Sequence, residues 1–228
     1  KFYLSLGRTL LYTVCTLPFR VIIPLLVAVL LCSKRVAGKS LTRTMVYIPV
    51  LMSALVVGIT INWMFSQEYG LVNFIIRSLG GTALEWSLNP RLATFVIAFA
   101  SVWASIGFNM ILYIGGINSI SNDLYEAATI DGASGVQAFF RITVPMLAPT
   151  TFMVVLLSTV NLLKEYALVQ GITQGGPGLS TTFIIQYIFD KGFNQMQYGY
   201  ASAISTVVMI IFALIAFAQF KVNNGGET

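Results

Sequence analysis

Apolar residues run along this chain in long blocks rather than in strict alternation, and the polar breaks between the blocks set its layout. A helix that crosses a bilayer needs about 20 mainly apolar residues. Five stretches meet that requirement, at 9–32, 44–65, 92–117, 146–170 and 199–220. The first holds Pro18, Arg20 and Pro24, so a kink is predicted there. An arginine inside a span has to face protein or water rather than lipid. Polar residues recur in the other spans as well, at Asn62, Ser101, Asn109, Ser158, Asn161, Lys164 and Glu165. A simple anchor would not need them.

The breaks differ in character. Residues 33–43 hold Lys34, Arg35, Lys39 and Arg43, while 66–91 mix two acids with two bases around Gly80-Gly81 and Asn89-Pro90 turn signals. Residues 118–145 are acidic. Residues 171–198 contain TQGGPG, a tight turn, and then an apolar stretch at 181–189 that is predicted to lie along the membrane interface. Cytoplasmic loops carry the excess of Lys and Arg, so the 33–43 cluster is expected inside, together with 118–145 and the C-terminus. That arrangement puts six cations inside (Lys34, Arg35, Lys39, Arg43, Arg141, Lys221) against five outside (Lys1, Arg8, Arg77, Arg91, Lys191). The margin is thin, and the cluster decides it.

Composition supports a lipid setting. The 228 residues are 57% hydrophobic and 9% charged, where soluble domains carry about 25% charged residues, and the mean hydropathy is +0.82. The net charge of +5 is not a nucleic-acid footprint, because its one dense cluster flanks an apolar span. Cys15 and Cys32 stand at either end of one predicted helix and imply no disulfide framework. The chain has no histidine, no serine–base pairing and no clustered acids outside 118–145, so no catalytic constellation and no metal site are expected. VAGKS at 36–40 imitates a phosphate-binding loop, but that motif needs a glycine at position 33, which is Ser, and a preceding strand.

Within the acidic stretch, 122–130 (NDLYEAATI) suits a short helix capped by Ser121 or Asp123, with Glu126 three residues after Asp123 as in a capping box. Asp131-Gly132 stops it, because glycine accepts the left-handed conformation beyond a helix end. Val136, Phe139, Phe140 and Thr143 then repeat at helical spacing and predict a second helix lying apolar side down on the membrane, closed by Pro145. These residues fit two readings equally. One is a solvated surface helix; the other is a docking helix whose small face admits a partner and whose acids meet that partner's arginines.

EAATIDGAS followed by FFRITVP and PMLAP resembles the EAA loop of permease subunits in ABC importers. LVQGITQGGPGLSTT, FDKGFNQMQYGYASAIS and LGRTLLYTV are similar, in that order, to stretches of the sugar-importing branch, which includes the larger maltose-transporter permease and the glycerol-phosphate permeases. The likeness covers nearly the whole chain. It departs at Ser121, where the family usually has proline, and upstream of Lys1, where the family usually has one more helix.

The resemblance implies an all-α polytopic membrane protein with about five transmembrane helices, a single permease domain over 1–228 with the type I importer core, and a cytoplasmic coupling helix in 118–145. It implies the pore subunit of an importer that moves a carbohydrate across the cytoplasmic membrane of a prokaryote by alternating access. Its partners would be a second permease, commonly in a heterodimer, an ABC ATPase dimer, an external solute-binding protein and membrane lipid. No cofactor belongs to this chain; ATP and Mg²⁺ would sit in the ATPases. By the same resemblance Glu126, Ala127, Ala128, Asp131 and Gly132 form the coupling segment. Trp103, Gly107, Met110, Leu163 and Lys164 are the expected solute contacts. The alternatives are a non-sugar solute such as glycerol phosphate, and an ATP-independent channel or secondary transporter using Arg20, Lys164 and Glu165.

Overall fold

The structure, a computed structural model, describes residues 1–33 and 38–224. Lys34 and Arg35 of the basic cluster lie outside the described residues. Every regular element among the described residues is helical. In chain order these are α1 (Phe2–Cys32), α2 (Lys39–Leu51), α3 (Ala54–Met64), α4 (Leu71–Ser78), α5 (Pro90–Asn118), α6 (Asn122–Ile130) and α7 (Gly135–Ala138). A π-helical turn (Phe139–Thr143) leads into α8 (Val144–Met146) and α9 (Ala148–Leu163). Then come α10 (Ala167–Ile172), α11 (Ile184–Phe189), a second π-helical turn (Asp190–Asn194) and α12 (Tyr198–Asn224).

Among the described residues three helices, α1, α5 and α12, are long and apolar enough to cross a membrane unaided. Two bent pairs bring the number to five. The α2–α3 pair turns by 100°, and the segment Gly135–Met146 turns by 67° into α9. The span predicted at 44–65 is therefore not one rod: Pro49 removes a donor from the last turn of α2, and the chain passes through extended Met52 and Ser53 before α3 starts. The span predicted at 146–170 also divides. Its helix stops at Leu163, residues 164–166 are irregular, and α10 is a separate piece.

Pro18 and Pro24 lie inside α1, which continues as one helix through both. Pro145 does not close the second loop helix, since the chain stays helical from Phe139 through Met146. Residues 181–184 do not lie along an interface either. Phe183 is 1% exposed and Ile184 0%, and the Ile184 N–H donates to Thr9 Oγ1 of α1 at 2.9 Å.

Helices α1, α5 and α9 pack on one another, α2 packs on α5, and α3 packs on α10. Without a hydrophobic drive between helices in lipid, close backbone contact matters. A Cβ on Gly171 of α10 would stand 2.8 Å from Leu55 O and 2.9 Å from Gly58 Cα of α3. A Cβ on Gly107 of α5 would stand 2.7 Å from Val46 O and 2.8 Å from Tyr47 Cα of α2. Both glycines mark crossings that no larger residue permits.

Among the described residues a small apolar cluster joins α11 and α12 through Ile184, Tyr187, Ile204 and Val208, and two larger cores lie along α1, α5 and α9. One gathers Tyr12, Ile61, Phe65, Trp86, Ile97, Leu162 and Phe183; the other gathers Ala28, Leu31, Met110, Tyr113, Leu147 and Val154. Along α1 the first core sits at Tyr12 and the second at Ala28, along α5 at Ile97 and Met110, and along α9 at Leu162 and Val154. Between those positions lie buried polar residues: Thr16 and Arg20 of α1, Ser101 and Asn109 of α5, and Ser158 and Thr159 of α9.

Candidate functional site

Helix α6 is built as the sequence suggests, with one choice settled: Ser121 is its N-cap, accepting from the Asp123 N–H at 3.3 Å. Asp123 is thus inside the first turn, and the capping box expected with Glu126 is absent. The box occurs one helix later, where Gln137 N–H donates to Ser134 Oγ at 3.3 Å and Ser134 N–H donates to Gln137 Oε1 at 2.8 Å. Between the two helices Gly132 has φ +74°. Gly132 N–H donates to Thr129 O at 3.1 Å and Ala133 N–H to Ala128 O at 2.9 Å, the paired bonds of a Schellman stop.

None of α6 is fully buried. Glu126, Ala127, Asp131 and Gly132 are exposed and Ala128 is half-buried. Glu126 has no hydrogen-bond or ion-pair partner among the described residues. Ile130 is 86% exposed at the end of the helix, with Val136 and Phe140 exposed beyond it. The inner side is fastened instead: the Tyr125 hydroxyl and Thr143 Oγ1 are 2.9 Å apart, and Tyr125 packs against the core that holds Leu147 and Val154. Because Thr143 lies in the π-helical turn that leads to α9, the loop helix is fixed to the root of a span.

Between the two apolar cores lies a polar layer. Arg20 Nη2 donates to Ser101 Oγ at 2.5 Å and stands 3.8 Å from Glu165 Oε2, with both side chains at least nine-tenths buried. Asn109 Nδ2 donates to Arg20 O at 3.0 Å and to Ser158 Oγ at 3.2 Å. Ser101 of α5 and Glu165 of the break after α9 therefore meet the guanidinium of Arg20, while Asn109 ties the Arg20 backbone carbonyl to Ser158 of α9. A charge at this depth is costly unless paired and hydrogen-bonded, and here it is both. The break at 164–166 makes the pair possible: Lys164 ends α9 exposed, while Glu165 turns inward.

The five expected solute contacts separate. Trp103 is 36% exposed, and Lys164 is exposed. Met110 is 0% and Leu163 2% exposed, and Gly107 is closed off by the α2 backbone. In this conformation the last three are packing groups, so only Trp103 and Lys164 present side-chain surface.

One further device, and the bonds inside a turn that the sequence did announce, had no signal strong enough to read from sequence. Asn73, 1% exposed, organises the 66–89 segment: its amide donates to Gln67 O at 3.1 Å and Leu84 O at 3.0 Å, and its Oδ1 accepts from Leu84 N–H and Trp86 Nε1, each at 3.0 Å. The TQGGPG turn is knitted by threonines, with Thr173 and Thr181 hydroxyls 2.8 Å apart and Thr182 Oγ1 donating to Gly175 O at 3.2 Å.

The chain is similar to the arabinooligosaccharides transport system permease protein AraP of Bacillus subtilis (strain 168), 31% identical over 97% of this chain and 72% of that protein. It is 32% identical to the trehalose/maltose transport system permease protein MalF of Thermococcus litoralis, over 98% of this chain and 75% of that one. Among solved structures, a bacterial ABC transporter involved in the import of the acidic polysaccharide alginate contains a chain of the same fold, with a TM-score of 0.88 and 24% identity over 98% of this chain and 79% of that one. The family described as the binding-protein-dependent transport system inner membrane component matches residues 2–224, and the chain belongs to it.

Proposed function

We propose that this chain is a pore subunit of an ATP-driven importer that carries a carbohydrate inward across the cytoplasmic membrane, working with a second permease, a pair of ATPases and an external solute-binding protein. The observation that carries the reading is α6: an unburied helix with a stopped end, an acid at Glu126 without a partner among the described residues, and a fastening through Tyr125 to the root of α9. Glu126 meets a cation of the ATPase in a charge-assisted contact, Ala127 and Ala128 admit close approach, and Asp131-Gly132 set the bend. The loop and the C-terminus face the cytoplasm. ATP and Mg²⁺ belong to the ATPases.

ATPase closure then moves α6 as a lever. The Tyr125–Thr143 bond and the π-helical turn pass that motion to α9, and Ser158 of α9 passes it to Asn109 and Arg20. The polar layer is the part of the pore that has two satisfied arrangements to choose between. Trp103 and Lys164 offer an aromatic face and a hydroxyl-binding ammonium to the solute. Gly107, Met110 and Leu163 join them in the state in which the helices around them part.

The test is uptake into proteoliposomes holding this chain with its partner permease and ATPases, with oligosaccharide-loaded binding protein outside and ATP inside. Uptake is expected only when all components are present, and sn-glycerol 3-phosphate serves as the competing solute. Transport by this chain alone, without ATP, would overturn the proposal. Unchanged apparent affinity in both Trp103→Ala and Lys164→Ala would remove the assigned contacts and leave the rest standing.

A further inference from the structure

A groove of about 760 Å³ runs between α1 and α5 on the surface of the bundle. One wall is a single stripe of α1, Leu11, Cys15, Phe19 and Ile23, repeating every four residues; Phe95 and Phe99 of α5 form the other. From Leu11 to Ile23 the stripe extends about 18 Å at the rise of an α-helix, against about 15 Å for one leaflet's hydrocarbon. These side chains are exposed in the structure, Leu11 at 66%, Phe19 at 57% and Phe95 at 54%. The groove is thus an apolar slot one leaflet deep.

Its far end is charged. Arg8 of α1 and Arg91 of the first turn of α5 both line it, and no carboxylate does among the described residues. Arg8 is held in place by donating one guanidinium N–H to Leu179 O of the TQGGPG segment. Arg91 makes no side-chain hydrogen bond or ion pair among the described residues, and it is exposed. Ser180, whose hydroxyl has no protein partner, lines the same groove beside Leu179. Two guanidiniums at headgroup depth above a leaflet-long apolar slot match one chemistry: a phosphate diester carrying acyl chains.

We propose that this groove is a binding site for a single anionic glycerophospholipid, its phosphate between Arg8 and Arg91 and an acyl chain along Leu11, Cys15 and Phe19. With α1 beginning outside, the lipid belongs to the outer leaflet. The site also accounts for a feature of the charge pattern. Nearly as many cations stand at this end of the bundle as at the other, against the usual bias toward the cytoplasm, and two of them are occupied by lipid rather than serving topology. Seated against α1 and against the Arg8–Leu179 contact, the lipid braces the helix that carries Arg20.

The experiment uses the assembled importer, equilibrated with phosphatidylglycerol or with phosphatidylcholine of the same acyl chains, and read by native mass spectrometry. One phosphatidylglycerol per copy of this chain is expected to survive delipidation, retained about fivefold over phosphatidylcholine for each arginine engaged. Arg91→Gln removes one such factor, Arg8→Gln/Arg91→Gln removes the preference altogether, and Arg77→Gln leaves it intact. Bound phosphatidylglycerol also slows alkylation of Cys15 by a lipid-soluble maleimide, which reads occupancy of the slot separately from the headgroup. Equal retention of the two lipids, or a preference untouched by the double substitution, overturns the site. So does cross-linking of Cys15 to a helix of the partner permease, which would make the groove a protein interface.

Discussion

Gly132 separates backbone geometry from side-chain contact more cleanly than any other position in the loop. Its φ of +74° lies in the left-handed region, yet a Cβ built there meets nothing within 4 Å. A substitution is therefore opposed only by the backbone conformation, which costs an ordinary L-residue about 1–2 kcal/mol and asparagine less, because its short side chain tolerates that region. A cost of 1–2 kcal/mol lowers the share of correctly bent loops by about 5- to 30-fold. What is lost with the bend is the pair of bonds from Gly132 and Ala133 back to Thr129 and Ala128, and with them the angle at which α6 is presented. Gly132→Asn, Gly132→Ala and Gly132→Val should form a graded series in solute-stimulated ATP hydrolysis, with asparagine near the parent, alanine reduced several-fold and β-branched valine lowest. Gly132→Asp should stay near asparagine if only φ matters and fall below it if a new acid beside Asp131 repels the ATPase. The thermal midpoint of the solubilised protein should move little throughout, because α6 buries no residue. Full activity in the valine variant would refute the reasoning. Equal loss in asparagine and valine would show that contact with a partner at the Cβ, not the bend, is what glycine serves.

Three other outcomes follow from the packing. Glu165→Gln leaves the Arg20 charge buried without its counter-ion and should destabilise the solubilised protein by about 3–5 kcal/mol, whereas Arg20→Met/Glu165→Gln should recover most of that loss; a double variant as unstable as the single one would show that the pair contributes little. Gly171→Leu drives a side chain into the α3 backbone and should abolish the folded protein in membranes, while Gly115→Leu, with open space at its Cβ, should accumulate normally. Asn73→Ala leaves the buried Trp86 Nε1 unsatisfied, at about 1–3 kcal/mol, and frees the Leu84 N–H and carbonyl; limited proteolysis from the α4 side should then nick 66–89 at far lower protease concentration.

The long spans α1, α5 and α12 were legible because a block of twenty or more apolar residues has little else to become. The breaks were not. Met52 and Ser53 are weak breakers and Pro49 alone does not announce a 100° turn, after which Gly58 of α3 packs against Gly171 of α10 from across the fold. Lys164 to Tyr166 contains neither glycine nor proline, so nothing local marks the end of α9 there. The loop was the reverse case, because caps and stops are local chemistry: Gly132 could be read directly and the cap was narrowed to Ser121 or Asp123, and only the box expected at Glu126 misled. The stretch 181–184 read as interfacial since its hydropathy is the same whether it meets lipid or Thr9. Of the expected contacts, Gly107 illustrates the limit best. A glycine in a span signals close approach, but whether of a sugar or of a neighbouring backbone depends on α2, which arrives from 60 residues away in sequence.

Arg20 stated its own need, a partner or water, but the sequence offered no means of choosing among eight scattered acids. The structure resolves this through layering. Apolar contacts in lipid are nearly interchangeable, so two greasy cores alone would let α1, α5 and α9 slide along one another at little cost. A charge held by Ser101 and Glu165, with Asn109 bridging Arg20 O and Ser158, has far fewer satisfied positions, and each slip of a turn would strand a buried polar group. The same layer therefore supplies register, and under the proposed function it would oppose gradual motion, since a small slide breaks these bonds before new ones can form. That is what a lever at α6 needs at its other end. A uniformly apolar bundle would absorb the proposed stroke as small sliding, whereas a polar layer between two cores would turn it into a discrete step.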